Sequence, residues 1–462
     1  MLAPQLKRQN KEPVDTTLIA ALRSNFRGEL ILPTDSAYDA ARRIWNGNID
    51  RHPGLIARCA GTADVVQAVK FARANDLLVA VRGGGHNVAG RALCDDGIVI
   101  DLSGMRGVFV DPRQRTVRVQ PGATLGDVDR ETHLHGLAVP AGVVSRTGIA
   151  GLALGGGVGW LARKHGLTCD NLLSCEVVTA DGDLTAADDT TNADLFWGLR
   201  GGGGNFGIVT SFLFRAHPVS MVFGGLVVYP RDQARAVLRR HRDLMPSAPE
   251  DFAAYAALLS TPDGVPAVAI LGCHCGDPAE GERIWQPFRS IATPLLDAVQ
   301  PLPFPMMQGL IDAAFPEGAH NYWKSSFLKE QSDDSIDLIV ELGNRAPSPM
   351  SSLVVEFYGG AVARADHPDT AFAQRRPAFN LGIMAQWTDP ADTERNITWA
   401  RDAADAVAPF ASGGYLLNFL DEEGADTVRA AFGANYPRLA ALKSKYDPTN
   451  FFRLNQNVLP AH

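Results

Sequence analysis

Three consecutive glycines followed by a histidine, at residues 83–86, constrain this chain more than any other stretch of its sequence. The apolar run at 77–81 leads into them and is typical of a short strand. Glycines let a backbone take positive φ angles and approach another group closely, and successive exposed N–H groups in such a turn suit phosphate oxygens. The loop therefore predicts either a phosphate-holding turn with a nucleophilic imidazole beside it or a tight turn with a solvated histidine.

Two further glycine clusters, at residues 155–157 and 201–204, lie in the same half of the chain among apolar runs. Disordered segments are poor in such runs, so the clusters favour loops that wrap a ligand. The sequence fits neither the G-x-G-x-x-G fingerprint that joins a strand to a helix nor the G-x-x-x-x-G-K-[ST] phosphate loop. We therefore expect a dinucleotide held by a different scaffold.

The length of 462 residues predicts two or three domains. The formal net charge of −8 argues against nucleic acid or an anionic membrane as a partner, and no apolar run approaches the roughly 20 residues that span a bilayer. The polar N-terminus shows no secretory signal. Six cysteines without framework spacing favour a reduced, cytoplasmic protein.

The run Cys273-His274-Cys275 is the one place where the sequence suggests a metal. Neighbouring positions alternate between the two faces of a strand, and Zn²⁺ needs three or four ligands. No other pair of potential ligands has a matching spacing, so no metal site is predicted.

The length of the apolar segments changes near residue 220. Short strand-like and helix-like segments alternate up to about residue 218, and longer apolar runs such as 353–358 and 382–387 then alternate with helix-like segments such as 392–407. Residues 446–457 are rich in amides and aromatic rings. We predict an α+β fold whose second domain is an antiparallel sheet with helices on one face.

Several motifs make the chain recognisable: R-G-G-G-H at 82–86, TGIAGLALGGG at 147–157, RKHGLTCDN at 163–171, DLFWGLRGGGGNFGIVT at 194–210 and YDPTNFFRLNQN at 446–457. Over about residues 45–462 the chain resembles the vanillyl-alcohol-oxidase-like flavoproteins, in the branch of berberine-bridge-like and 6-hydroxy-D-nicotine-oxidase-like enzymes. The resemblance implies a two-subdomain PCMH-type FAD-binding domain, made from the N-terminal part and the C-terminal tail, with an inserted antiparallel-sheet substrate domain covered by helices.

The expected division of the chain follows from the same resemblance. It comprises an N-terminal arm at 1–45, the FAD-binding domain at 46–218, the substrate-binding domain at 219–412 and a berberine-bridge-like segment at 413–462 that returns to the FAD domain.

The resemblance also places residues around FAD. His86 matches the histidine that bonds to the 8α-methyl carbon of the flavin, and the loop 82–87 and the segment 142–157 would hold the pyrophosphate and flank the isoalloxazine ring. Ile208 and Val209 would lie on the adenine or ribose side. The implied cofactor-binding residues are Arg82, Gly83, Gly84, Gly85, His86, Asn87, Val144, Thr147, Gly148, Gly151, Gly155, Gly156, Asp170, Asn171, Ile208, Val209, Asn418, Asn455 and Asn457.

One departure from the family concerns a second covalent link. Many members carry a cysteine in the pattern G-x-C-x-x-x-G-x-x-G-x-x-x-G-G-G, and aligning the glycines puts Val144 at the cysteine position. We therefore predict one covalent link, through His86, or none. Double attachment goes with open sites for bulky substrates, so a narrower site is expected here.

Glu356, Tyr358 and Thr147 are candidate catalytic residues. Glu356 lies in a strand between valines and aromatic residues, where burial would raise its pKa and suit it as a base; the alternative is an edge-strand glutamate in solvent. Tyr358 would share its face. Thr147 falls where the family places residues that control the access of oxygen to the flavin, or it caps the turn before Gly148.

Lys324 is a fourth candidate, since it would line the same pocket with Tyr322 and Trp323 unless the aromatic rings belong to the core. The tyrosine base of the family is not carried over. That tyrosine lies two residues before the asparagine matching Asn418, where this chain has Leu416, and a neighbouring position would point to the other face of a strand. A sugar substrate is therefore less favoured.

These features together predict an FAD-linked oxidase. A small aromatic, amine, alcohol or natural-product substrate would pass a hydride to the flavin, and O₂ would be the acceptor. The alternatives are a flavin-dependent oxygenase-like tailoring enzyme of secondary metabolism, a sugar oxidase, or a flavin-binding carrier or sensor without turnover. The polar residues around the inferred cavity speak against the carrier.

Overall fold

A mostly parallel first sheet carries the glycine–histidine loop. The computed structural model describes residues 5–364, 369–376, 379–421 and 424–461. In spatial order, the strands of the first sheet are Glu29–Ile31, Leu55–Arg58, Ile98–Asp101 and Val79–Arg82, the last three parallel to one another.

The helix Thr62–Ala74 connects two of these parallel strands. Its buried residues Val65, Ala68, Val69 and Ala72 recur at helical spacing and pack against the apolar strand residues. The strand Val79–Arg82 therefore delivers residues 83–86 at its carboxyl end.

A second sheet is antiparallel, and the end of the chain packs into its core. Its strands, in spatial order, are Val108–Asp111, Thr116–Val119, Ile208–Arg215, Leu172–Val178 and Leu184–Asp188. Phe212 of this sheet shares a cluster with Val428, Phe432, Leu439 and Val458. The tail thus returns to the N-terminal part of the fold. The short strands Leu137–Ala138 and His217–Pro218 pair nearby.

The large sheet is antiparallel and is covered by helices on one face, as predicted. Its strands, in spatial order, are Leu296–Asp297, Met221–Pro230, Pro266–His274, Phe252–Ser260, Ser352–Phe357, Phe379–Trp387 and His320–Leu328, and Gln300–Pro303 also pairs with Met221–Pro230. Val237, Trp285, Ile339 and Trp399 of the covering helices share one core with strand residues. The other face packs against the glycine-rich part of the chain, where Tyr255 stacks on Trp160 with ring centroids 5.0 Å apart.

The α-helices of the described ranges are Thr16–Ser24, Tyr38–Ala41, Thr62–Ala74, Leu125–His133, Ile149–Leu154, Ala162–His165, Ala193–Leu199, Ala234–Leu244, Pro278–Arg289, Phe304–Gln308, Asp333–Asn344, Gly360–Ala363, Thr393–Val407, Ala425–Phe432 and Tyr436–Tyr446. Across those ranges, none of the helices has the length and apolar character that crossing a membrane requires. The predicted α+β architecture is confirmed, and the boundaries at 46, 219 and 413 stay predictions.

Candidate active site

A cavity of about 290 Å³ lies where the three sheets meet. One wall is rich in glycine and the other is aromatic. Segments far apart in the sequence converge on it. The predicted cofactor-binding residues that line it are Gly83, Gly84, Gly85, His86, Asn87, Val144, Thr147, Gly148, Gly151, Gly155, Ile208, Val209, Asn418 and Asn455.

The glycine wall depends on direct contact between two loops. A Cβ atom on Gly84 would lie 2.5 Å from the Cα of Gly148, and one on Gly148 would lie 2.6 Å from the backbone nitrogen of Gly84. Likewise, a Cβ on Gly155 would lie 2.6 Å from Nδ2 of Asn418. Glycine is required at 84 and 148 because any side chain would push the two loops apart, whereas a side chain at 155 would displace the amide of Asn418.

His86 presents a neutral imidazole to the cavity. Its ring stacks on Trp45 with centroids 4.1 Å apart and planes inclined by 14°. Its Nε2 is buried and finds no hydrogen-bond partner in the described part of the chain. Burial lowers the pKa of His86 to about 4. At neutral pH the ring therefore keeps the lone pair that a nucleophile needs.

Two amide side chains add unpaired acceptors to the wall. Asn418 donates from Nδ2 to the carbonyl of Leu152 at 3.3 Å, and Asn455 donates to that of Gly204 at 3.0 Å. The Oδ1 atoms of both asparagines are buried without a partner among the described residues. Since buried polar atoms are nearly always hydrogen-bonded, these oxygens indicate a polar ligand in the cavity.

Some predicted cofactor residues brace the loops from behind and do not line the cavity. Arg82 donates to the carboxylate of Asp101 at 3.0 and 2.5 Å and to the carbonyl of Ala41 at 2.6 Å. Asp170 pairs with Arg375 at 2.5 Å. The predicted residues outside the cavity lining are Arg82, Gly156, Asp170, Asn171 and Asn457.

Val144 lies in a loop that is hydrogen-bonded to residues near the large sheet. Gln308 donates from Nε2 to the carbonyl of Gly142 at 2.5 Å. The carboxylate of Asp312 accepts hydrogen bonds from the backbone N–H of Ser145, at 2.8 Å, and from its hydroxyl. The loop that carries Val144 is therefore fixed by non-covalent contacts on both sides of that residue.

Glu356 is buried in the cavity wall, and the edge-strand alternative is excluded. Its strand lies between two others, and the residue is 5 % exposed. The carboxylate accepts hydrogen bonds from the hydroxyl of Tyr358 at 2.7 Å and from Nδ2 of Asn380 at 2.8 Å. Burial raises the pKa of Glu356 above its ordinary value, although the two hydrogen bonds act in the opposite direction. The hydroxyl of Tyr358 therefore lies on the same side of the chain as the Glu356 carboxylate, as expected.

Asn380 is a site residue that the sequence reasoning missed. Its Oδ1 accepts a hydrogen bond from the hydroxyl of Ser325 at 2.8 Å, and Ser325 accepts one from the backbone N–H of Leu416 at 3.0 Å. This chain of bonds orients the amide so that its NH₂ group faces Glu356. The sequence signal was an amide residue beside the apolar run that begins at Leu381.

Aromatic rings form the wall near Glu356. Trp323, Phe315 and Phe419 line the cavity with Met384. Trp323 meets Phe419 edge-on at 5.6 Å between centroids and Phe315 at 5.7 Å. Its buried Nε1 finds no partner within the described ranges. The aromatic wall is thus apolar apart from the indole N–H of Trp323, which could donate a hydrogen bond to a ligand.

Lys324 lies on the opposite face of the same strand. Successive side chains of a strand alternate between faces, so Trp323 lines the cavity while Lys324 and Tyr322 point to the helix-covered side. There Arg401 of the helix Thr393–Val407 donates to the hydroxyl of Tyr322 at 3.1 Å. The geometry therefore does not support a catalytic role for Lys324.

Comparisons with known proteins agree with the geometry. The FAD binding domain family matches residues 53–188, and the berberine and berberine-like family matches residues 416–459. An FAD-linked oxidoreductase of Dictyostelium discoideum is 34% identical over 418 residues, covering 90% of this chain and 91% of that protein. The (R)-6-hydroxynicotine oxidase of Paenarthrobacter nicotinovorans is 32% identical over 453 residues, covering 94% and 97%. The chain belongs to the berberine-like FAD-linked oxidoreductases.

Solved structures place this FAD-linked oxidoreductase in the same fold. The 6-hydroxy-D-nicotine oxidase from Arthrobacter nicotinovorans has a TM-score of 0.87 at 30% identity, covering 94% of this chain and 98% of that one. The berberine-bridge-enzyme-like protein 1 of Physcomitrella patens has a TM-score of 0.88 at 24% identity, covering 96% and 99%, and shows the fold alone. The predicted family, enzyme class and cofactor, FAD, are confirmed.

The residues of this FAD-linked oxidoreductase fit its cofactor. The loop pair of Gly84 and Gly148 leaves a wall without side chains, which lets backbone N–H groups approach phosphate oxygens. The unpaired oxygens of Asn418 and Asn455 can accept from the polar edge of a flavin ring, and the open Nε2 of His86 lies in the same cavity wall.

Proposed function

We propose that the protein oxidises a small aromatic, amine, alcohol or natural-product substrate, with Glu356 as proton acceptor, His86 as the single covalent tether of FAD, and O₂ as the final acceptor. FAD, when bound, would supply a two-electron acceptor for a hydride from the substrate carbon. The observation that carries the proposal is the buried Glu356 carboxylate in the cavity wall, held by two donors.

Glu356 has the features of a general base. Both groups that touch its carboxylate are donors, which suits the ionised form. The raised pKa of Glu356 lies closer to the pKa of the substrate N–H or O–H group from which it would remove a proton. Tyr358 keeps its proton, because burial raises its pKa well above the ordinary value and the nearby Glu356 raises it further. We therefore assign Tyr358 and Asn380 to holding Glu356 in place.

The wall around Glu356 supports a flat, mostly apolar substrate. Trp323, Phe315 and Phe419 offer ring faces and edges, and the unpaired Nε1 of Trp323 offers one donor to a substrate acceptor. Leu416 lines the cavity at the position where sugar-oxidising relatives have the tyrosine. A sugar needs many hydrogen-bond partners, so this wall favours the other classes.

Support for the single covalent link comes from His86 and Val144. The imidazole of His86 is neutral and open at Nε2, and Val144 lines the same cavity without a thiol. The six cysteines are all buried and free. The expectation of a cytoplasmic protein stays a prediction.

The test is a peroxide assay with a panel of aromatic amines, aromatic alcohols and sugars. We expect O₂-dependent peroxide with at least one planar aromatic compound and none with sugars. Peroxide from sugars alone would contradict the substrate class. Anaerobic bleaching of the flavin by a panel member, followed by a hydroxylated product in air, would favour the oxygenase-like alternative.

Thr147 provides a second test because it lines the cavity beside Gly148. If its hydroxyl affects the reaction of the reduced cofactor with oxygen, Thr147→Val should change the rate of reoxidation by O₂ while leaving anaerobic reduction by substrate unchanged. An unchanged reoxidation rate, measured by stopped-flow absorbance, would remove Thr147 from the proposal.

A further inference from the structure

The orientation of the His86 ring is set by something other than a partner at Nε2. In many sites a hydrogen bond at one ring nitrogen fixes the histidine so that the other nitrogen can react. In the described part of the chain Nε2 of His86 has no such partner. The ring has a hydrogen bond to its own backbone and a face-to-face neighbour, the indole of Trp45, with ring centroids 4.1 Å apart.

Trp45 is itself held at three points. Its backbone N–H donates to the carbonyl of Gly85 at 3.3 Å, its backbone carbonyl accepts from Gly318 at 2.9 Å, and its indole N–H donates to the carbonyl of Phe315 at 3.1 Å. The residue is 5 % exposed. Hydrogen bonds therefore join Trp45 both to the glycine loop and to the segment that precedes the strand His320–Leu328, which fixes the position of its indole ring.

The next residue, Asn46, fixes the loop on the other side of His86. It donates from Nδ2 to the carbonyls of Val88 at 2.7 Å and Asn321 at 3.0 Å, and its Oδ1 accepts from the backbone N–H of Asn321 at 2.9 Å. Gly85 and Val88 flank the histidine, so residues 45 and 46 determine where its ring can lie.

We propose that Trp45 is the positioning residue that holds the His86 imidazole for bond formation with the flavin, an inference that rests on the covalent link proposed above. The bond joins an imidazole nitrogen to the 8α carbon. The imidazole N–H and one methyl C–H bond are broken, and the two electrons and two protons pass to the ring system and from there to O₂, which becomes peroxide.

The stacked indole constrains the imidazole in a way that its local backbone hydrogen bond does not. A donor or acceptor at a ring nitrogen occupies that nitrogen, whereas a stack fixes the plane of the imidazole and leaves the edges free. Holding a nucleophile in a reactive orientation lowers the entropic barrier to bond formation. The Trp45 ring thus orients His86 through its face and leaves the edge that carries Nε2 free.

The test follows bond formation and cofactor binding separately. Wild type, Trp45→Leu and Trp45→Phe are produced under riboflavin limitation and then mixed with FAD in air. Acid-stable flavin is measured over time, and non-covalent affinity by fluorescence quenching. We expect Trp45→Leu to form the bond at least about tenfold more slowly with little change in affinity, and Trp45→Phe, which keeps a ring, to restore most of the rate.

Trp399 offers a matched control. It is 8 % exposed, and its indole N–H donates to the carbonyl of Leu342 at 3.2 Å, but it lies on the helix-covered side of the large sheet. Trp399→Leu should lose comparable stability and still form the bond at the wild-type rate.

The outcomes separate this inference from the function it rests on. Wild type with freely extractable FAD overturns both the covalent link and the role of Trp45. Wild type with acid-stable flavin, and Trp45→Leu that links at the same rate, overturns the role of Trp45 alone. Equal slowing in Trp45→Phe or in Trp399→Leu would also overturn it, because the loss would then not follow the ring stack.

Discussion

Glu356 is held between burial and two hydrogen bonds. Removal from water favours the protonated carboxyl, while Tyr358 and Asn380 stabilise the carboxylate, and the balance leaves the pKa raised. If Glu356 is the base, these three side chains set both its position and the pH at which it works. Asn380 in turn depends on Ser325 for its orientation.

Replacing Glu356 tests its role as the base. The group must be ionised to accept a proton, so kcat/KM should rise as the pH rises through its pKa, which lies above the ordinary value of 4.5. Glu356→Gln should lower kcat/KM by about 10²–10⁴-fold and remove this acid limb from the pH profile. An acid limb that persists in the variant, with an unchanged flavin spectrum, would assign the base to another group.

Tyr358→Phe should shift the acid limb to higher pH. The hydroxyl of Tyr358 donates to Glu356 and lowers the pKa of that carboxyl. Without the hydroxyl, burial should raise the pKa of Glu356 further. Tyr322→Phe is the control, because that hydroxyl lies on the helix-covered face and is bound by Arg401. The pH dependence of kcat/KM in both variants decides the matter, and a shift to lower pH in Tyr358→Phe would refute the assignment.

A buried lysine near the end of the chain pairs with Asp447 and also contacts Asn205, the residue that follows the glycine cluster at 201–204. Lys443 donates to Asp447 at 2.7 Å and to the carbonyls of Asn205 and Phe452 at 2.8 Å each. Asp447 also accepts from the backbone N–H groups of Phe451 at 2.7 Å and Phe452 at 2.8 Å. Together with the bond from Asn455 to the carbonyl of Gly204, Lys443 thus places the amide-rich tail beside the cavity.

Lys443→Met should destabilise the protein strongly. The substitution leaves the buried carboxylate of Asp447 without its cationic partner and removes the lysine donor from the carbonyl of Asn205, while the carbonyl of Phe452 keeps the amide of Asn455. We expect a loss of about 3–5 kcal/mol in the free energy of unfolding. Lys445→Met, which removes an exposed pair with Asp194, should cost only about 0–1 kcal/mol. Denaturant unfolding of both variants provides the measurement. Equal losses would mean that Lys443 does not hold the tail.

The sequence revealed the elements with strong periodicity and missed contacts that depend on register. The predictions at 353–358 and 392–407 match Ser352–Phe357 and Thr393–Val407 within one residue. Lys324 was misplaced because the strand His320–Leu328 went unpredicted, and without it the alternation of faces could not be applied. Asn380 precedes the predicted start of its strand at 382.

Trp45 could not be assigned to the site from the sequence for a different reason. It lies at the end of the predicted N-terminal arm, and its contact with His86 arises from packing between segments that are distant in sequence. By contrast, the glycine positions carried a local signal, because close backbone approach excludes other residues.

The whole molecule closes the cavity by joining its two walls. Arg163, on the glycine-rich side, donates from Nη1 to the carbonyl of Phe252 and from Nη2 to that of Ala248 at 3.1 Å. Asp312 reaches back to Ser145, and Phe315 to Trp45. The glycine-rich wall and the aromatic wall are therefore joined by hydrogen bonds.

The most direct test of the account is the chemical state of the flavin in the purified protein. We predict that acid precipitation leaves the yellow flavin on the protein, that mass mapping finds it on the peptide containing His86 and on no other, and that His86→Ala releases it as FAD. Freely extractable FAD from the wild type, or a flavin attached to a second residue, would contradict the single tether at His86.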